Sequence, residues 1–299
     1  MDSLYTPSSP SSASVSTAGD FFSLLKPRVM SLVVFSGFAG YWIAPDRVDL
    51  HPFLALIGLV ALALGAGASG AFNMWYDRDI DAVMNRTKNR AIPLGKIAPD
   101  DGLGFSIFVS IFAVVMMGMA TNWVAAGLLA FASFFYAAVY TMWLKRRTPQ
   151  NIVIGGAAGA FPPMIGWAMV TGEVSLESFL LFMIIFLWTP PHFWALALFA
   201  NEDYKRAAIP MLPVTHGAAH TKWQMLAYTL VLLPVSILPS FLGMATPVYG
   251  LFSGALSGFF VLASVRVLGT EDLKAAKQMF GYSVFYLFAL FLALMICHN

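Results

Sequence analysis

Asn73, Asp77 and Asp81 recur every four residues at the end of a long apolar run. On a helix that spacing keeps them on one stripe drifting ~40° per step. Asp79, about 200° round from Asp77, points to the other side. Two ionised carboxylates one turn apart repel each other, and no lysine lies on their stripe. A divalent cation with all-oxygen ligands, Mg²⁺ or Mn²⁺, is the economical neutraliser. Arg86, Lys88, Arg90 and Lys96 follow at once. Carboxylates, then cations, describe a site in which metal and guanidinium share the charge of a diphosphate. The cations alone fit a solvated loop equally well. Carboxylates at the end of an apolar helix are harder to dismiss, because they are costly at membrane depth without a role.

Asn201-Glu202-Asp203-Tyr204-Lys205-Arg206 repeats the theme of acid then cation, and Lys145-Arg146-Arg147 adds a third basic cluster. Arg90-Ala91-Ile92-Pro93-Leu94 is echoed by Arg206-Ala207-Ala208-Ile209-Pro210-Met211, which places two similar loops four spans apart. Of the five histidines, His51, His216, His220 and His298 fall in loops or at the chain end. His216 and His220 stand one turn apart with no acid nearby, and read as a solvated pair rather than a metal pair. His192 differs. It lies within an apolar run after Pro190-Pro191, where a broken helix is expected to free backbone groups toward a cavity. A buried membrane histidine is functional by default, as a metal ligand or a hydrogen-bonding group.

The elements that must position these groups follow from composition. Of 299 residues, 59% are hydrophobic and 11% are charged, against ~25% charged in soluble domains. With a mean hydropathy of +0.75, the chain reads as an all-α polytopic membrane protein. Apolar runs cover 29–44, 53–72, 102–120, 123–144, 152–170, 179–200, 223–242, 248–265 and 279–297. The uncharged stretches 102–144 and 223–265 would each be ~65 Å long as one helix, so each must be a hairpin. Nine transmembrane helices result.

With the N-terminus cytoplasmic, every one of the 17 Lys and Arg residues except Arg47 falls on the inner side. Both acid–cation loops and Lys145–Arg147 then share that face. Residues 1–21, rich in Ser, Thr, Pro and Ala, lack the basic residues of a signal or transit peptide and read as a disordered tail before a domain at 22–299. A net charge of +2 argues against a nucleic-acid partner, and the single cysteine, Cys297, permits no intrachain disulfide or CxxC site.

Asn73-x3-Asp77-x3-Asp81 followed by Arg86-x3-Arg90 resembles the first signature of the UbiA-type intramembrane prenyltransferases. Within that superfamily the chain is similar to the heme O synthase branch. The segments that carry the likeness are Lys26-Pro27-Arg28, Thr148-Pro149-Gln150-Asn151, Pro162-Pro163-x-x-Gly166-Trp167, Thr189-Pro190-Pro191-His192-Phe193-Trp194 and Asp203-Tyr204-Lys205-Arg206. The superfamily's second loop usually offers two acids four apart; here Phe199 precedes Asp203.

The resemblance implies nine helices around a central cavity in a bacterial inner membrane. The donor would be farnesyl diphosphate and the acceptor a vinyl group of heme b. The products would be heme O, destined for terminal oxidases, and diphosphate. Asp77, Asp81 and Asn73 would hold Mg²⁺, with Asp203 joining them in catalysis. Arg86, Arg90, Lys145, Lys205 and Arg206 would clamp the diphosphate, and His192 would bind heme. Trp75, Tyr76, Phe193, Trp194 and Tyr204 would shield an allylic cation. Contact with heme A synthase or terminal-oxidase assembly is also implied. Gly155-Gly156, Gly159 and Gly166 keep one span thin, leaving room for a macrocycle or for close helix packing. Two other functions stay open: prenylation of an aromatic quinone precursor, and a transporter built on broken helices.

Overall fold

The computed structural model describes residues 16–299. It contains α1 (Ala18–Leu24), α2 (Pro27–Ile43), α3 (Pro52–Tyr76), α4 (Arg78–Val83), α5 (Pro99–Ala120) and α6 (Trp123–Phe134). A π-helical segment, Phe135–Leu144, continues α6. Then follow α7 (Asn151–Gly155), α8 (Ala157–Thr171), α9 (Leu176–Phe199), α10 (Asn201–Arg206), α11 (Leu212–Thr215), α12 (Gly217–Phe241), α13 (Pro247–Leu268) and α14 (Leu273–Ile296). Among the described residues, eight helical spans can cross a bilayer by length and composition, and a ninth is reached if α1 and α2, bent by 54°, count as one. The expected hairpins turn at Thr121-Asn122 and at Gly243–Thr246, between α5 and α6 and between α12 and α13.

The tail expected over 1–21 lies outside the described residues up to residue 15. Its last part is helical: Thr17 caps α1 in a capping box with Asp20, and Phe21 packs on Phe105 at 5.2 Å.

Consecutive long helices pack on one another in chain order, and α14 returns to α2. The chain therefore closes on itself, with added contacts of α2 on α8 and α9 on α14. Outer faces stay apolar: Phe108, Ile111, Phe112 and Met119 on α5, and Leu251, Phe259 and Leu262 on α13, are exposed. That is the surface a helix presents to lipid.

Two expectations change. Pro190 and Pro191 do not break α9, which runs unbroken past them. They still lack N–H groups, so the carbonyls of Phe186 and Leu187 lose their helical donors one turn before His192. Most of the glycine run is spent on packing. A Cβ on Gly166 would sit 1.9 Å from the Gly37 carbonyl oxygen of α2, and one on Gly40 2.0 Å from the Pro163 carbonyl oxygen. Gly155 and Gly156 press on Tyr140 and Thr189, and only Gly159 faces open space.

Candidate active site

The Asn73 stripe crosses a helix junction. α3 ends at Tyr76, Asp77 adopts a turn conformation, and α4 starts at Arg78. The i→i−4 backbone bonds persist through it, Asp77 to Asn73 at 2.9 Å and Asp81 to Asp77 at 2.8 Å. The stripe geometry survives. Asn73, Asp77 and Asp81 are buried, Asp77 completely, while the Asp79 side chain is 62% exposed.

The carboxylates are not bare. Cations from distant segments reach them, so a divalent cation is not their sole available neutraliser. Lys145 donates to Asp77, Arg146 lies 3.2 Å from Asp77, and Arg90 donates to Asp81 at 2.6 Å. Arg146 also grips Asp79 through two 2.8 Å bonds and stacks over Tyr76, 5.1 Å from the ring centroid. That hydrogen bonding holds the Asp79 carboxyl below the usual carboxylate range and raises the Arg146 guanidinium. Asp79 points away from the stripe yet steadies a cation that serves it.

The π-helical segment supplies two of these partners. Its widened turn carries Thr141, whose hydroxyl accepts from Asn73 at 3.2 Å, and Lys145 caps its end. Such segments gather at functional sites. Asn73 also donates to Asp77 at 2.6 Å. The Tyr136 and Tyr140 rings, on the same segment, lie 5.3 Å apart.

In the sequence, Lys26 stands out only as part of a family-like tripeptide. It occupies the elbow between α1 and α2 in a left-handed conformation, φ 51°, which a non-glycine residue adopts at a cost. This backbone brings Nζ to 3.4 Å from the Asn73 side-chain oxygen. A pocket of about 320 Å³ opens beside it, lined by Lys26, Asn89, Arg90, Lys96, Ser23 and Asp20 among others. No periodicity in the sequence announces this lysine, because the elbow is made by tertiary packing.

The other expected residues divide. Asp203 meets the first loop through Asn85, whose amide donates to it at 3.2 Å, and pairs with Arg206 on its own helix. A buried apolar cluster that includes Ile80, Met84, Ile152, Tyr204 and Met211 also joins the two loops. Lys205 turns to Glu202 at 2.9 Å on the exposed side of α10, away from the buried carboxylates. Arg86 is exposed and makes no ion pair among the described residues. Trp194 is buried in the core against Tyr228 rather than beside the loops. His216 and His220 are exposed, with rings 5.3 Å apart. His192 is buried and stacks on Trp188 at 4.2 Å and Phe280 at 4.6 Å.

Among the described residues, no group of three His, Cys, Asp or Glu side chains could hold a metal ion by itself. Asn73, Asp77 and Asp81 do offer an all-oxygen donor set of the kind Mg²⁺ takes. Their present partners are long, flexible cationic side chains that can swing to an anionic ligand. The residues therefore fit a hard divalent cation that arrives together with a phosphate group.

The UbiA prenyltransferase family model matches residues 33–294. Protoheme IX farnesyltransferase of Rhizobium johnstonii is 58% identical over 287 residues, covering 95% of this chain and 90% of the relative. Protoheme IX farnesyltransferase 2 of Mesorhizobium japonicum is 59% identical, covering 94% and 90%. Among solved structures, a digeranylgeranylglyceryl phosphate synthase superposes with a TM-score of 0.78 at 17% identity, over 93% of this chain and 97% of that one. A UbiA homolog from Archaeoglobus fulgidus bound to GPP and Mg²⁺ gives 0.68 at 16%, over 93% and 99%. These two share the fold. With its helical ring, its buried Asn–Asp–Asp stripe and nearly full-length relatives, the chain belongs to the UbiA prenyltransferase family, in the group of the protoheme IX farnesyltransferases.

Proposed function

We propose that the chain transfers the farnesyl group of farnesyl diphosphate to a vinyl group of heme b, with diphosphate and heme O as products. The observation that carries this reading is the buried Asn73–Asp77–Asp81 stripe ringed by Lys26, Arg90, Lys145 and Arg146. The relatives' names support the donor and acceptor.

Asn73, Asp77 and Asp81 would hold Mg²⁺, which when bound supplies Lewis-acid stabilisation of the departing diphosphate. Lys26, Arg90 and Lys145 take the phosphate oxygens as charge-assisted donors; Lys26 leaves the Asn73 amide oxygen, and Arg90 and Lys145 leave the carboxylates they hold in the free chain. Arg146 stays anchored on Asp79. Loss of diphosphate leaves positive charge on the farnesyl chain, and Tyr76, Tyr136 and Tyr140 present aromatic faces near it. The vinyl π electrons form the new carbon–carbon bond. The porphyrin-stabilised cation that remains takes hydroxide from water and releases a proton, which gives the hydroxyl of heme O. His192 holds the heme on the α9 side.

On this reading the protein lies in the bacterial inner membrane with its site loops at the cytoplasmic face, as the segregation of basic residues supports. The test is incubation of membranes with heme b, farnesyl diphosphate and Mg²⁺, followed by mass spectrometry. Heme O that disappears with chelator supports the reading. Prenylated quinone precursor with no heme O would transfer the assignment to an aromatic-ring acceptor.

A further inference from the structure

His192 and Ser283 meet between α9 and α14, with the imidazole Nδ1 2.6 Å from the serine hydroxyl oxygen. That hydroxyl has a second close neighbour, the Phe280 carbonyl oxygen, also at 2.6 Å. A serine owns one hydroxyl proton and a carbonyl can only accept. The proton must therefore point at Phe280, since two bare oxygens at that distance would repel. Ser283 is left to accept from His192, which puts the ring proton on Nδ1. Nε2 then carries the unshared lone pair, and it has no hydrogen-bond partner among the described residues.

The surroundings hold the ring in that state. Ser283 is fully buried and His192 is 8% exposed, so water does not compete for Nδ1. The Trp188 indole and the Phe280 ring lie nearly parallel to the imidazole, at 18° and 22°. Trp188 in turn donates its indole N–H to the Ser283 carbonyl oxygen at 2.8 Å. Trp188 and Phe280 stack on the ring and Phe193 stands perpendicular to it at 5.0 Å, so the in-plane lone pair of Nε2 is the reactive direction of the imidazole.

We propose that Ser283 is a positioning residue: it fixes the tautomer of His192 so that Nε2 presents a bare lone pair to the iron of the acceptor heme. Metal-bound histidines depend on such a partner at the other nitrogen. Without it the alternative tautomer, with its proton on Nε2, is available and masks the ligand atom. The inference rests on the reading of His192 as the heme-binding residue. It adds a residue no motif contained, 91 positions away.

The test uses the full-length protein in nanodiscs, titrated with ferric heme b and followed by Soret absorbance and electron paramagnetic resonance. Ser283→Ala removes the hydroxyl but keeps the carbonyl that Trp188 uses. About tenfold weaker heme binding is expected, as for loss of a ligand's outer partner. The histidine-ligated spectrum should be reduced, donor binding unchanged, and Ser283→Thr should restore the spectrum. In a His192→Ala background, Ser283→Ala should add nothing. Wild-type heme spectrum and affinity in Ser283→Ala, with loss in His192→Ala, would sink the tautomer assignment alone. Unchanged heme binding in His192→Ala would sink the His192 reading and this inference with it. A measurement made on the wild type itself is the ¹⁵N spectrum of the histidine-labelled protein, with His192 assigned by the loss of its signal alone in His192→Gln. A protonated Nδ1 supports the proposal, and a protonated Nε2 overturns it.

Discussion

Lys145 places its ammonium on the fully buried carboxylate of Asp77, 68 residues earlier in the chain. Together with Arg146 on the same carboxylate and Arg90 on Asp81, it gives two closely spaced acids cationic partners inside the protein. A buried charge is tolerated only when it is paired. The acids are thus stored in a state ready to exchange partners when Mg²⁺ and a diphosphate arrive.

Asp77→Asn and Asp81→Asn should abolish farnesyl transfer while leaving membrane abundance near normal, since the amides keep the shape. Asp79→Asn should retain measurable activity, because its carboxylate reaches the stripe only by steadying Arg146. A product assay beside an immunoblot checks this. Equal loss from all three changes would contradict the stripe.

Lys26→Met should weaken farnesyl diphosphate binding by roughly tenfold or more. One charge-assisted hydrogen bond is lost, a contribution of ~1.5–3 kcal/mol. Heme binding should stay at the wild-type level. Calorimetry of the donor with Mg²⁺, set against a heme absorbance titration, separates the two; equal losses would mean that the elbow itself has collapsed.

Gly166→Ala should destabilise the fold without touching the site chemistry. Its methyl would meet the Gly37 carbonyl oxygen at 1.9 Å, and backbone has nowhere to retreat. Overpacking of this sort costs ~1–3 kcal/mol. Gly159→Ala, facing open space, should be neutral. Thermal unfolding in detergent, followed by helical circular dichroism, compares the pair.

A reporter fused between residues 46 and 49 should be extracytoplasmic, and one fused at Asp100 cytoplasmic. The basis is the single outward cation, Arg47, against the basic loop that precedes α5. At the expected outer end Arg47 bonds His298 at 2.8 Å, so the α2–α3 loop and the chain end share one side. Both fusions reporting the same side would overturn the arrangement.

Hydropathy, the spacing of charges and the four-residue recurrence are local properties, and they determined the membrane class, eight of the spans and the Asn73–Asp77–Asp81 stripe. A helix imposes its period on residues a few positions apart, so which of Asp77, Asp79 and Asp81 share a face could be read without knowing the fold. Tertiary structure decided who neutralises them. Lys26 arrives from the α1–α2 elbow, and Thr141, Lys145 and Arg146 from the end of the π-helical segment. Charge placement put the Lys145–Arg147 cluster on the right face, but no local pattern says which side chain each of them meets. The same limit hid Ser283, an ordinary helical serine until α14 packs on α9. It also misled the reading of Pro190-Pro191: losing two backbone donors weakens a helix locally, but packing against α8, α12 and α14 holds α9 intact. Periodicity selects a face. What lies opposite that face depends on contacts across tens to hundreds of residues, which only the folded chain sets.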